Sequence, residues 1–90
     1  MKVAILGASG HGKVVADIAE QCGYQVSFFD DGFPALNKLE HWAIEGDTAD
    51  LVKLKDNFDC AFVAIGNNFI RAKKQAVLAK VGLISASLIH

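Results

Sequence analysis

The chain has 90 residues, 52% of them hydrophobic and 21% charged, with a formal net charge of −1 from nine basic and ten acidic side chains. This is the composition of one small folded domain, not of a disordered or fibrous chain. The two charge signs are balanced and form no blocks, which excludes an electrostatic case for nucleic acid or for a basic membrane-binding patch.

The first apolar run, Val3-Ala4-Ile5-Leu6, is four residues long and breaks into glycines. A signal segment needs about 7–15 apolar residues and a membrane span about 20, so a cytoplasmic protein is expected. Cys22 and Cys60 sit in apolar patterns without a CxxC, which reads as two buried, reduced thiols. His11, His41 and His90 show no metal-ligand spacing.

Lys2 to Leu6 is nearly all apolar, as a strand covered on both faces is. Gly7-Ala8-Ser9-Gly10-His11-Gly12 follows it and opens a helix. In that helix Val14, Val15, Ile18, Ala19 and Cys22 form one apolar face, and Gly23 is placed to end it. Tyr24 to Phe29 reads as a second strand, stopped by Asp30-Asp31-Gly32. The first thirty residues are thus a β-α-β unit with a right-handed crossover.

The segment 31–42 holds the only proline and the only tryptophan. It reads as a loop with one helical turn at Ala35–Leu39, followed by an edge strand over Trp42–Gly46. Asp47 or Thr48 caps a short helix through Lys55, with Leu51, Val52 and Leu54 turned inward. Asp59 to Ile65 is a second strand apolar on both faces, and it ends in Gly66-Asn67-Asn68. A helix from Asn68 to Val81 follows, its inner face lined by Phe69, Ala72, Ala76 and Ala79. Gly82 ends it, and Leu83 to Ile89 reads as a last strand. The pattern predicts an α/β domain: a small Rossmann-like open parallel sheet of about five strands with helices on both faces, filling residues 1–90.

In such sheets ligands bind at the carboxyl ends of the strands, where strand order reverses. Three polar features fall at three strand ends: the loop Gly7–Gly12, the pair Asp30-Asp31, and the turn Gly66–Asn68. The loop glycines have GxxGxG spacing, not the GxGxxG of dinucleotide sites. Gly7-xxxx-Gly12-Lys13 approaches a P-loop, but Val14 stands where a magnesium-binding Ser or Thr is needed. What remains is a tight turn that needs glycine, or a phosphate held at a helix N-terminus.

Asp30 lies 23 residues beyond Gly7, where an acidic residue takes ribose hydroxyls; the pair also makes sense as a plain turn. One of Asn67 and Asn68 is expected to cap the helix and leave the other to a ligand. Arg71, one turn in, reaches a phosphate or is solvated. His11, between glycines, is expected to face a ligand. No nucleophile–base pair and no paired-carboxylate site is present, and five strands suit a mononucleotide or nucleotide sugar better than NAD. The candidate binding set is therefore Ser9, Gly10, His11, Gly12, Asp30, Asp31, Gly66, Asn67, Asn68 and Arg71, with no catalytic residue and no metal. A regulatory domain that senses a dinucleotide such as NAD is the alternative.

Four stretches occur in order: Lys2-Val3-Ala4-Ile5-Leu6-Gly7-Ala8-Ser9-Gly10-His11-Gly12-Lys13-Val14-Val15, Phe29-Asp30-Asp31, Ala64-Ile65-Gly66-Asn67-Asn68-Phe69-Ile70-Arg71, and Leu88-Ile89-His90. Together they resemble the N-terminal domain of bacterial sugar acyltransferases of the sialic-acid O-acetyltransferase type. That family includes the UDP-4-amino-sugar N-acetyltransferases and related perosamine and viosamine enzymes. The resemblance implies a two-domain enzyme whose first domain binds a nucleotide sugar, a UDP-sugar by the first of these relatives. It implies a left-handed β-helix of hexapeptide repeats that trimerises, binds acetyl-CoA and carries a histidine general base. No such repeat occurs here, so that domain is expected after residue 90. Acetyl-CoA and a homotrimer are expected only with it, and no cofactor is expected in this domain. By the resemblance, Ser9, Gly10 and His11 meet the phosphates, Asp30 and Asp31 meet the nucleoside, and the Gly66–Asn68 turn closes the other side.

Overall fold

The computed structural model describes residues 1–83. Three parallel strands make the central sheet in the order β2–β1–β5: β1 is Lys2–Leu6, β2 is Gln25–Phe29 and β5 is Cys60–Val63. Leu6 pairs with both Phe29 and Val63, so the three strands end side by side. The chain leaves β1 to one side for β2 and returns on the other for β5, which puts the reversal of strand order at β1.

Val3, Ala4, Ile5 and Leu6 are all buried, as their unbroken apolar run predicts. Val3 and Ile5 pack with Val15 and Ala16 of α1 (Gly10–Gln21) and with Phe28 and Trp42. Ala4 and Leu6 face the opposite way. They meet Leu51 of α2 (Thr48–Lys53) and Leu78 of α3 (Asn68–Lys80). Helices therefore cover both faces of the sheet, the Rossmann-like arrangement expected from the sequence, but among the described residues the parallel sheet has three strands where about five were expected. Two further strands, β3 (Lys38–Leu39) and β4 (Trp42–Ala43), form a separate antiparallel hairpin.

Several details differ from expectation. The helical turn anticipated at 35–39 is absent; the chain instead turns over residues 31–35, through the cis Phe33–Pro34 peptide, and enters β3. The edge strand anticipated over 42–46 is split. Its first part pairs in the hairpin, and Ile44 then bridges Phe28 along the free edge of β2. In α2, Asp47 and Asp50 cap each other's backbone, Leu51 is buried, and Leu54 lies exposed just past the helix. The strand anticipated over 83–89 lies outside the described residues apart from Leu83, which is buried.

Both long helices are rotated from the faces that apolar periodicity suggests. In α1 the buried side is Gly12, Val15, Ala16 and Ala19; Val14 is 51% exposed and Cys22 is exposed, against its expected burial. Close packing of Gly12 against the sheet sets this rotation. In α3 the anticipated inner face is the outer one, with Phe69 69% exposed and the ring overlain by Lys73. Leu78 is buried instead, flanked by half-buried Arg71, Lys74 and Val81. Arg71 and Lys74 are half-buried; the Lys74 head reaches Asp31 just past β2, and the Arg71 head reaches Asn68 on its own helix.

No helix among the described residues is long and apolar enough to cross a membrane. Among the same residues, no cluster of His, Cys, Asp and Glu could hold a metal ion.

Candidate functional site

The three predicted strand-end features do meet at one edge of the sheet. After β1 the chain turns at Gly7, whose φ is 120°. A Cβ there would lie 2.5 Å from the Ala64 carbonyl oxygen, so only glycine allows the turn beside β5. A Cβ on Gly12 would lie 2.4 Å from the Gly7 carbonyl oxygen. These two glycines serve close packing. Gly10 differs, because a Cβ there would meet nothing within 4 Å. It lines open space at the first turn of α1.

Ser9 caps α1, its hydroxyl accepting from the Gly12 amide at 3.2 Å and donating to the Ala64 carbonyl at 3.0 Å. Its side chain thus ties the loop to the end of β5. Ser9→Ala removes both bonds and is expected to cost about 1–2 kcal/mol, read as a lower denaturant midpoint at unchanged slope.

The two aspartates divide their work. Asp30 accepts from the Ala8 amide at 2.8 Å through one oxygen and from the Gly32 amide at 2.8 Å through the other. It braces the glycine loop from the β2 side. Asp31 is turned to α2 and α3. It accepts from the Thr48 amide and hydroxyl and pairs with Lys74 at 2.6 Å. Burial of the Asp31 carboxylate works to raise its pKa, but the bonds from Lys74 and Thr48 and the charge of Lys74 together outweigh it and hold the pKa at about 2. A folded-state pKa below the unfolded one gives stability that is present above the ordinary 3.8 and lost as pH falls toward 2. Lys74→Gln is expected to reduce that acid-limb loss, leaving the part due to Thr48, measured as a smaller drop in melting temperature across this window.

At the end of β5, Asn67 is the capping residue of the pair and accepts from the Ile70 amide at 3.0 Å. Asn68 accepts from the Arg71 guanidinium, which spends that cation on its own helix turn. Gly66 is exposed, with open space where a Cβ would be. His11 is exposed on the first turn of α1, its ring tilted against Phe62 of β5 at 5.6 Å. Lys13 pairs with Glu40 at the hairpin tip, and that carboxylate raises its pKa. The P-loop-like lysine is therefore directed away from the open loop.

Two helix N-termini, those of α1 and α3, thus stand on adjacent strands. Neither carries an acidic residue in its first turn, whereas α2 has Asp50. The amides of Gly10 and His11, and of Asn68 and Phe69, have no protein acceptor among the described residues. Unneutralised helix ends with unpaired N–H groups attract anions. Thr48 and Lys74 were not legible as site residues. The three-residue spacing from Arg71 to Lys74 was the one available signal, since it places both cations on one side of α3. A cleft bounded by Phe58, Asp59, Val81 and Leu83 lies at the other end of the sheet, before β5, and is separate from this site.

The perosamine N-acetyltransferase of Caulobacter crescentus, in a mutant form in complex with CoA and GDP-perosamine, superimposes with a TM-score of 0.79 and 29% identity over 92% of this chain. The acetyltransferase domain of PglB from Neisseria gonorrhoeae, in complex with acetyl coenzyme A, superimposes with a TM-score of 0.77 and 34% identity over 91% of this chain. This chain spans 40% of the length of each. RSP, a Rex-family repressor, shares the fold at a TM-score of 0.65 and 22% identity. The sequence profile of the PglD N-terminal domain matches residues 2–78, from β1 into α3 and through every strand end described above. The chain belongs to the PglD N-terminal domain family.

Proposed function

We propose that this domain binds a nucleotide sugar and presents it for acetyl transfer from acetyl-CoA. One observation carries the reading: two acid-free helix N-termini and the Asp31 carboxylate share one edge of the sheet. The diphosphate sits on the Gly10 and His11 amides, in the open space at Gly10, with Gly12 and the Ser9 cap holding the loop in shape. Asp31 takes a hydrogen-bond donor of the nucleoside, while Asp30 holds the loop. Gly66, Asn67 and Asn68 close the α3 side, with Arg71 fixing Asn68. The domain contributes binding and orientation, which raise the effective concentration of the acceptor sugar. Acyl transfer and CoA binding belong, in this reading, to the portion of the relatives outside the alignment, as does the trimer. The similarity to proteins solved in complex with GDP-perosamine and with acetyl coenzyme A supports the two ligand classes in this reading.

The test is a titration of the domain with UDP, GDP and NADH, followed through backbone amide resonances. Shifts of Gly10, His11 and Asn68 with UDP or GDP are expected. Amides that stay put at millimolar nucleotide overturn the reading, and tighter binding of NADH favours the dinucleotide alternative.

A further inference from the structure

We propose that Lys74 is a positioning residue for the ligand-facing carboxylate of Asp31. The inference rests on the nucleotide-sugar reading and extends its site to the middle of α3. Asp31 is held from two elements distant in sequence. Its Oδ1 accepts the Thr48 amide at 2.9 Å and the Thr48 hydroxyl at 2.7 Å, and its Oδ2 takes the Lys74 ammonium at 2.6 Å. Thr48 alone grips one oxygen and leaves the carboxylate free to swing about it. Lys74 supplies the second point that fixes its plane.

Exposure gives the two partners different roles. The Lys74 side chain is 23% exposed and that of Asp31 51%, so the cation is the inner member and the carboxylate the outer one. Oδ2 keeps a lone pair beyond its bond to Lys74, and half of the side chain is open to solvent. A pair this exposed adds little to stability, but it does set direction. The neighbouring carboxylates do not compete for Lys74. Asp30 is taken by the Ala8 and Gly32 amides, and Asp47 and Asp50 by each other's amides. Among the described residues no other cation pairs with Asp31. Ionised and oriented in this way, Asp31 accepts hydrogen bonds and donates none, so it selects a ligand group that carries a proton.

The test compares UDP and GDP affinities, by calorimetry at neutral pH, for wild-type protein, K74Q, K74M, K74R, D31N and the K74Q/D31N double variant. K74Q, K74M and D31N are each expected to lose roughly tenfold, with K74R recovering most of it. The double variant is expected to bind no more weakly than D31N, because Lys74 acts through Asp31. In K74Q the Asp31 carboxyl carbon is expected to titrate nearer the ordinary 3.8, and affinity to fall with pH before that of the wild type does. Losses that add in the double variant mean that Lys74 touches the ligand directly, and they overturn the inference. So does wild-type affinity in both K74Q and K74M. A wild-type protein that binds neither nucleotide overturns the functional reading, and this inference with it.

Discussion

Gly12→Ala is expected to destabilise the domain by about 2 kcal/mol or more, the balance of overpacking and helix propensity. The added methyl would stand 2.4 Å from the Gly7 carbonyl oxygen, 3.2 Å from the Phe28 ring and 3.3 Å from the Ala64 Cβ. Helix propensity works the other way, since alanine is better than glycine by about 1 kcal/mol inside a helix. Overpacking wins because the obstacle is backbone. The Gly7–Ala8 peptide is held by the bond from the Ala8 amide to Asp30 at 2.8 Å, and the Gly7 amide bonds the Phe29 carbonyl at 2.8 Å. To relieve the clash α1 must lift off β1, which also opens the packing of Val15 and Ala16. For a domain of this size the melting temperature is expected to fall by roughly 10–15 °C, measured by circular dichroism. A melting temperature within a few degrees of wild type would show that the helix can shift without cost. Gly7→Ala is expected to be at least as harmful, since it adds a positive φ to a similar clash.

Gly10→Asp is expected to behave in the opposite sense in its two readouts. A Cβ at this position meets nothing within 4 Å, and the first turn of α1 has no acid. A carboxylate there interacts favourably with the helix end by about 0.3–1 kcal/mol, and removing a glycine stiffens the unfolded chain by a similar amount. Stability is therefore expected to hold or rise slightly. Nucleotide affinity is expected to fall by at least about tenfold, because the carboxylate occupies and neutralises the space in which the proposed function puts a phosphate. Thermal melting and calorimetric titration of the same sample check both. Unchanged nucleotide affinity would remove the phosphate from this loop.

How much of this was legible in the sequence depends on whether the deciding contact is local. β1 and β5 were readable because a strand buried on both faces has an unbroken apolar run. The glycine loop, the Asp30-Asp31 stop and the Asn67 cap were readable because their chemistry lies within a few residues. The outer face of α3 was not. Its rotation follows the burial of Leu78 in the cluster with Ala4 and Leu6, and Lys74 reaches Asp31 across 43 positions of sequence; counting apolar residues along the helix weighs neither contact. Cys22 illustrates the same limit on α1, where the fit of Gly12 against the sheet overrode a plausible apolar stripe. The β3–β4 hairpin has only two residues per strand, below the length at which alternation becomes a pattern. At the site itself, sequence located the strand ends but not the division of labour among them. Which aspartate braces and which is available depends on the amides of Ala8 and Gly32, and no side-chain pattern encodes those.

The glycine loop is fastened to both neighbouring strands, by the Ala8 amide to Asp30 and by the Ser9 hydroxyl to the Ala64 carbonyl. In the function proposed above, a loop held on two sides offers an incoming nucleotide a single shape. In that reading the ligand meets a loop that is already formed. Association is then a simple encounter, with an observed rate that rises linearly with ligand concentration. Discrimination between one nucleotide sugar and another falls to how long each stays, so related ligands differ in their dissociation rates.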